Sequence, residues 1–274
     1  MKKIEELKFS SEIITKAKEL GATLAGIANI EDLKSAPSYV VAPLMPPYSG
    51  VGANKERIDD RKPGEVIWPE GAKSVIVVAY AHPEEKPELD YWYGSNDPIG
   101  NRQLIRIIKG LCEWLMNSHN VGVFHLPYHV ERGGIYLKDA AVIAGLGCIG
   151  KCNLLVNPEY GPRLRLRGMT IDIELPSTGP LMYDPCRFCD ERCNKVCPQK
   201  AFDKKVYSAT EYGRNELPGR DGNYNRNLCN VQMKIDEETA EVQKIELFDE
   251  PVRVVKYCRR CELACPVGKG KVID

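Results

Sequence analysis

The stretch CRFCDERCNKVCPQKAF, residues 186–202, places four cysteines within twelve positions and follows the last with proline. Thiols this dense do not act as ordinary core side chains; they pair as disulfides or bind metal. A second group, Cys258, Cys261 and Cys265, also ends in proline, at Pro266, and Cys229 stands between the two. The chain carries 11 cysteines in 274 residues, and disulfides persist only in oxidising compartments. Its N-terminus, MKKIEELKFSSEIITKAKELG, has the charge spacing of an amphipathic helix and lacks the apolar stretch of a signal peptide. No segment reaches the roughly 20 apolar residues of a membrane span. The expectation is a cytoplasmic protein without membrane contact, its thiols reduced and used for metal or redox chemistry. Lysine plus arginine equals aspartate plus glutamate at 38 each, so overall charge gives no argument for a nucleic-acid or acidic membrane surface.

Eight of these thiols are what two four-cysteine iron–sulfur clusters require. In two-cluster ferredoxins three closely spaced cysteines grip one cubane while the thiol before proline crosses to the other. That rule assigns Cys186, Cys189, Cys193 and Cys265 to cluster 1, and Cys197, Cys229, Cys258 and Cys261 to cluster 2. The first loop departs from the usual spacing, with three residues rather than two before Cys193. Structural zinc is the rival reading, since CxxC pairs also bind zinc. The Cys-Pro endings, the doubling and the lack of histidine in this region favour iron–sulfur.

Elsewhere the chain reads as an α/β (α+β) layer structure. Ser11 is placed to cap a first helix ending near Gly21, and ATLAGIA (22–28) follows as a strand. Proline-rich sequence over 36–69 reads as an irregular excursion. SVIVVAY (74–80) is a continuous apolar run, expected to be buried on both faces. Leu104, Ile107, Ile108, Leu111, Trp114 and Leu115 recur at helical spacing within 101–118. VGVFHL (121–126) reads as a strand, LKDAAVIAGLG (137–147) as a helix closed by glycine, and RLRLRGMTIDIEL (163–175) as a strand. VQMKID and AEVQKIELF, around an acidic turn, read as a β-hairpin inserted between the cysteine groups. A change of character after Pro176 divides the chain into domains 1–178 and 179–274.

AGLGCIGKCNLLVNPEYGPRLRLRG (144–168) packs five glycines into a short span, a loop able to lie against a flat or anionic ligand. The dinucleotide GxGxxG spacing fails after Gly150, and no acidic residue follows at the expected offset. The segment AGLGCIGKCNLLVNPEYGPRLRL resembles the AGLGxIGKxxLLxxPEYGxRxRL block of the epoxyqueuosine reductases and their relatives the reductive dehalogenases. The cysteine pattern follows at that family's distance, and AKELGATLAGIA and PEGAKSVIVVAY resemble its N-terminal segments.

The resemblance implies an N-terminal domain binding cobalamin base-off and a C-terminal ferredoxin-like domain carrying two [4Fe-4S] clusters. The clusters are then expected to deliver low-potential electrons to cobalt, giving Co(I) for a reductive step. No cobalt-ligating DxHxxG motif is present, consistent with base-off binding. Cofactor-binding candidates are Gly145, Gly147, Cys148, Gly150, Lys151, Asn153, Gly161, Arg163 and Arg165. Glu131 occupies the place of the family's proton-donating aspartate, and Tyr136 is a rival donor, since reductive dehalogenases use a tyrosine. Cys148 and Cys152 stand where the family often has tryptophan and asparagine or histidine, either as thiols beside the corrin or as small buried hydrophobes. Expected partners are a low-potential electron donor of ferredoxin or flavodoxin type and a small-molecule or corrinoid-protein substrate. The family's tRNA-acting members continue into a helical-repeat extension; this chain ends at Asp274, so tRNA is a doubtful substrate. The alternative is an electron-transfer protein that reduces a partner without a substrate of its own.

Overall fold

A computed structural model describes residues 2–45, 50–52 and 65–269. Four antiparallel strands form its main sheet, in the order β1 (Leu24–Asn29), β2 (Ser74–Ala81), β7 (Leu164–Ile171) and β4 (Val123–Phe124). The alternation of β2 decides the architecture. Ile76 and Val78 pack on one face beneath α1 (Lys2–Glu19) and α4 (Ile99–His119), with Ile13, Ile107, Leu111 and Met169. Val75, Val77 and Ala79 pack on the other beneath α2 (Ile30–Lys34) and α5 (Leu137–Ile143), with Leu33, Ala140 and Leu164. Every residue of β2 except Tyr80 is buried, as the continuous apolar run demands. The result is a mixed α/β sandwich whose sheet is antiparallel although helices cover both faces.

Several expectations need correction. Helix α1 begins at Lys2, because the lysine- and glutamate-rich first turns are themselves good helix formers; Ser11 lies inside it and is exposed. Its end is as expected, with Gly21 in the left-handed region at φ +101°. The strand expected over 121–126 shrinks to β4. Within the proline-rich stretch α3 (Pro37–Val41) and a 3-10 turn at Ala42–Leu44 form, while residues 46–49 and 53–64 lie outside the described residues.

After α5 comes a small hairpin, β5 (Cys148–Ile149) with β6 (Leu155–Val156), and then β7. The cysteine-rich part contains α6 (Arg192–Lys195), α7 (Ala209–Tyr212), α8 (Arg226–Glu238) and α9 (Arg260–Ala264). VQMKID therefore lies in a helix, not a strand. Asn225 caps α8 by accepting from Leu228 N, and Leu228, Val231 and Ile235 recur at three- and four-residue spacing. The hairpin that does form joins β8 (Glu241–Gln243) to β9 (Val252–Val255), and its third strand is β3 (Trp92–Tyr93) from the N-terminal part. No helix among the described residues is long and apolar enough to cross a membrane.

The first turn of α4 sits directly on a buried imidazole: a Cβ on Gly100 would lie 2.1 Å from the His82 ring. His82 is fully buried and cannot swing aside. Gly100→Ala is expected to cost about 1–3 kcal/mol by overpacking, read as a lower urea midpoint.

Candidate functional site

Between the sandwich and the cysteine-rich part lies a cavity of about 1750 Å³, well above the roughly 300–1,000 Å³ that encloses a drug-sized ligand. The start of α5 supplies Tyr136, Lys138 and Asp139; the β5–β6 hairpin supplies Cys148, Cys152 and Asn153; β7 supplies Leu164, Arg165 and Leu166. The cysteine-rich part closes it with Tyr224, Arg226 and all four thiols of the second set, Cys197, Cys229, Cys258 and Cys261. Cys186, Cys189, Cys193 and Cys265 do not line it.

The glycine-rich segment does something other than expected. Gly145, Gly147, Gly150 and Gly161 do not line the cavity. At Gly145, Gly147 and Gly161 the missing side chain admits protein backbone, and at Gly150 it admits the Val156 side chain; a Cβ on Gly161 would meet Val267 O at 2.2 Å, and one on Gly268 would meet Glu159 O at 2.4 Å. Both glycines have left-handed φ, +58° and +68°, so the turn and the segment after Cys265 fit together only as glycines. Arg163 completes this junction. It is buried and donates to the carbonyls of Cys265 and Val267. Lys151 is likewise engaged elsewhere, with Glu191. Of the nine candidate cofactor-binding residues, Cys148, Asn153 and Arg165 reach the cavity.

The thiols fall into neighbourhoods. Burial raises the Cys229 pKa, and Cys197 raises it further. Burial also raises Cys261 and Cys258, with Cys229 close to both, and Cys193 of the other set lies near Cys261 where the two neighbourhoods meet. Burial likewise raises Cys265, which feels Cys193 and Cys186. Each group thus crowds thiols whose thiolates would repel one another, an arrangement suited to a cationic metal core. Among the described residues no three His, Cys, Asp or Glu side chains close on a single-ion position. The ninth and tenth thiols are adjacent: Cys152 is buried against Cys193, and Cys148, near Cys186, is pushed up to about 11 by burial.

A buried ionic network forms one wall, and sequence reasoning missed most of it. Asp90, at the end of the 3-10 turn Pro87–Asp90, lies 2.8 Å from His82 Nδ1, 2.9 Å from Arg165 Nε and 2.8 Å from Arg259 Nη1. Glu262 receives Arg165 Nη2 at 3.0 Å and Arg259 Nη2 at 2.5 Å. Arg259 also donates to the His82 carbonyl. Burial opposes ionisation of Asp90, yet His82 and the two guanidiniums outweigh it and hold the carboxyl below its usual range. Burial pushes His82 down despite Asp90, so the ring is neutral when folded. The only local signal was the charge inside CRRCELAC (258–265).

The histidine sets a pH dependence. An unfolded histidine takes its proton near pH 6.5, whereas folded His82 takes it only at lower pH. The unfolded chain therefore binds more protons in that window, and His82 lowers stability as pH falls below about 6.5. Urea midpoints at pH 7.5 and 5.5 are expected to differ less in His82→Asn than in the parent chain.

The two proton-donor candidates are brought together. Glu131, in the 3-10 turn Val130–Arg132, lines the cavity beside Tyr136. Burial, then Asp139 and Glu131, raise the Tyr136 hydroxyl well above its ordinary pKa, so it keeps its proton. Tyr39 packs edge-on to Tyr136 at 4.9 Å, and Asp139 is fixed by Ser38 Oγ at 2.6 Å. Lys138 donates to Asn153 O at 2.7 Å, and burial lowers its pKa.

Comparisons with known proteins agree on one group. An epoxyqueuosine reductase of Lactococcus garvieae (strain Lg2) is 28% identical over 228 residues, 80% of this chain and 58% of the relative. The chain thus spans less than two thirds of that relative's length. A crystal structure of epoxyqueuosine reductase with an epoxyqueuosine-modified tRNA stem loop superposes with a TM-score of 0.61 at 19% identity, over 98% of this chain and 68% of that one. A catabolic reductive dehalogenase in complex with 3-bromo-4-hydroxybenzoic acid gives 0.57 at 18%, over 95% and 32%. No family profile matches the chain.

Proposed function

We propose that this relative of the epoxyqueuosine reductases and the reductive dehalogenases is an iron–sulfur oxidoreductase that carries out a reductive reaction on a cavity-bound substrate, using two [4Fe-4S] clusters and a base-off cobalamin. The observation that carries the reading is the cavity with four thiols in one wall and an acid–tyrosine pair in another. Residues 1–178 form the cobalamin-binding part and 179–274 the ferredoxin-like part. Cys186, Cys189, Cys193 and Cys265 hold cluster 1, supported by the closeness of Cys265 to Cys193 and Cys186. Cys197, Cys229, Cys258 and Cys261 hold cluster 2, supported by their shared cavity wall.

The cavity is roomy enough for a corrin beside a substrate. Cys148 and Asn153 in the β5–β6 hairpin would hold the macrocycle, with Arg165 on β7 fixed by Asp90 and Glu262, while Val142, Leu154 and Leu164 would exclude water. When bound, the clusters supply single low-potential electrons and the cobalamin a strongly reducing centre. The chain's own residues then handle the proton. Tyr136 Oη keeps it in a dry setting, and Glu131, close by, replaces it from solvent.

Anaerobic purification after reconstitution with iron, sulfide and cobalamin tests the whole reading. About eight iron atoms per chain, four for each cluster, and corrinoid absorbance surviving desalting are expected; zinc without iron, or no retained corrinoid, would refute it. Turnover assays should include epoxyqueuosine-modified tRNA beside small electrophiles, because the neighbour that carries a tRNA stem loop superposes on nearly all of this chain. Tyr136→Phe and Glu131→Gln are each expected to lower turnover by about 10²–10⁴-fold with corrinoid absorbance retained. Their double variant should be little worse than the weaker single one, as for groups acting in series.

A further inference from the structure

One buried thiol outside the eight proposed ligands packs directly against one of them. Cys152, in the turn of the β5–β6 hairpin, is 4% exposed and lies with Val156 and with Cys193 of α6. The turn is held from several sides. Within it, Gly150 N donates to Leu154 O and Asn153 N to Gly150 O, both at 2.9 Å. From α5, Lys138 Nζ donates to Asn153 O at 2.7 Å, and from the cysteine-rich part Gly219 N donates to Asn153 Oδ1 at 3.0 Å. Cys152 therefore cannot swing out of its place. Its Sγ and that of Cys186 lie 3.3 and 3.5 Å from the position a Cβ on Gly150 would take.

The hydrogen-bonding capacity of Cys152 is fully used on this side. Its sulfur accepts from Leu154 N–H, and its S–H reaches the Cys193 sulfur. Cys261 of the second set is near as well. Cysteine binds metal as the thiolate, so with iron present Cys152 is wedged among anionic sulfurs. A further negative charge there would be both desolvated and repelled. Lys138, a neighbouring cation, is turned to Asn153 O. Of Cys152 and an iron-bound Cys193, then, only Cys152 has a proton to give. A hydrogen bond to a ligand sulfur offsets negative charge, which is larger in the reduced cluster, and so raises the reduction potential.

Resting on the two-cluster reading, we propose that Cys152 is a positioning residue for cluster 1. Its S–H donates to Cys193 Sγ and makes that cluster easier to reduce than its four thiolates alone would. Cys152 borders the cavity, but its sulfur is engaged with the cluster.

The test is a redox titration of the anaerobically reconstituted full chain, followed by paramagnetic resonance. Cluster 1 is identified as the signal that Cys186→Ala lacks. Cys152→Ala should keep about eight iron atoms and lower the cluster 1 midpoint by about tenfold in the reduction equilibrium, about 59 mV for one electron. Cys152→Ser, which retains a donor, should stay nearer the parent. The cluster 2 midpoint should move less in both. An unmoved cluster 1 midpoint would reduce Cys152 to a packing residue and overturn the proposal. A raised midpoint would also overturn it, because water entering the vacated space would then be the stronger donor. Loss of about half the iron from Cys152→Ala would make Cys152 a ligand instead. Corrinoid lost from that variant at parent-like midpoints would make it a cofactor contact, again against the proposal. A parent chain without iron would sink the two-cluster reading itself.

Discussion

Arg259→Met is expected to be among the most damaging single changes outside the cysteines, lowering stability by about 3–5 kcal/mol. That is the scale observed when one partner of a buried ion pair is removed and the other is left charged. Arg259 bridges Asp90 and Glu262, which lie on either side of the junction between the sandwich and the cysteine-rich part. Without it, Arg165 alone must balance the buried Glu262 and the half-buried Asp90. The same residue stands between Cys258 and Cys261, so the loss should reach beyond stability, to reconstituted iron. Asp90→Asn should cost less when combined with Arg259→Met than when made alone, because the two residues share one interaction. Urea denaturation of the four chains closes that cycle. Additive effects would show that the residues do not act together.

The second large effect concerns the crossing thiols. Cys265→Ala is expected to remove about half the iron, about four atoms per chain, and to leave the same residual spectrum as Cys186→Ala. Cys258→Ala should leave the complementary spectrum. The distinction matters because Cys265 is only four residues from Cys261 along the chain, yet its thiol neighbours are Cys193 and Cys186. If Cys265→Ala instead matched Cys258→Ala by paramagnetic resonance of the reduced protein, the crossed assignment would be wrong. Deleting either set should also destabilise the other, since α6 and α9, which carry Cys193 and Cys261, pack together.

Features encoded by local pattern are legible in the amino-acid order itself. Strand β2 announces its double burial through an unbroken apolar run, and α4 through six apolar residues at helical spacing. VQMKID misleads for a physical reason: over six residues its alternation of apolar and polar side chains imitates a strand, and only the longer window from Leu228 shows the helical period. Asp90 carries no signal at all, because its two arginine partners come from distant parts of the chain and an ion pair leaves no periodicity. The glycines are legible as sites of close approach but not in what approaches them. Their pattern suggests a ligand, whereas at Gly161 the visitor is the backbone at Val267. Glu131 and Tyr136 follow from family resemblance; their shared cavity wall is a tertiary fact.

The junction at Arg163 and Gly161 has a consequence for how the protein is made. Arg163 binds the Cys265 carbonyl across 102 residues, and strand β3 waits for β9 to form its sheet. On the ribosome the sandwich is finished long before the segment that locks it has been synthesised. Until Cys265 and Val267 emerge, Arg163 and Gly161 have no segment to close against. Because Cys265 is also a proposed ligand of cluster 1, filling that site and shutting the lock are expected to be a single late event.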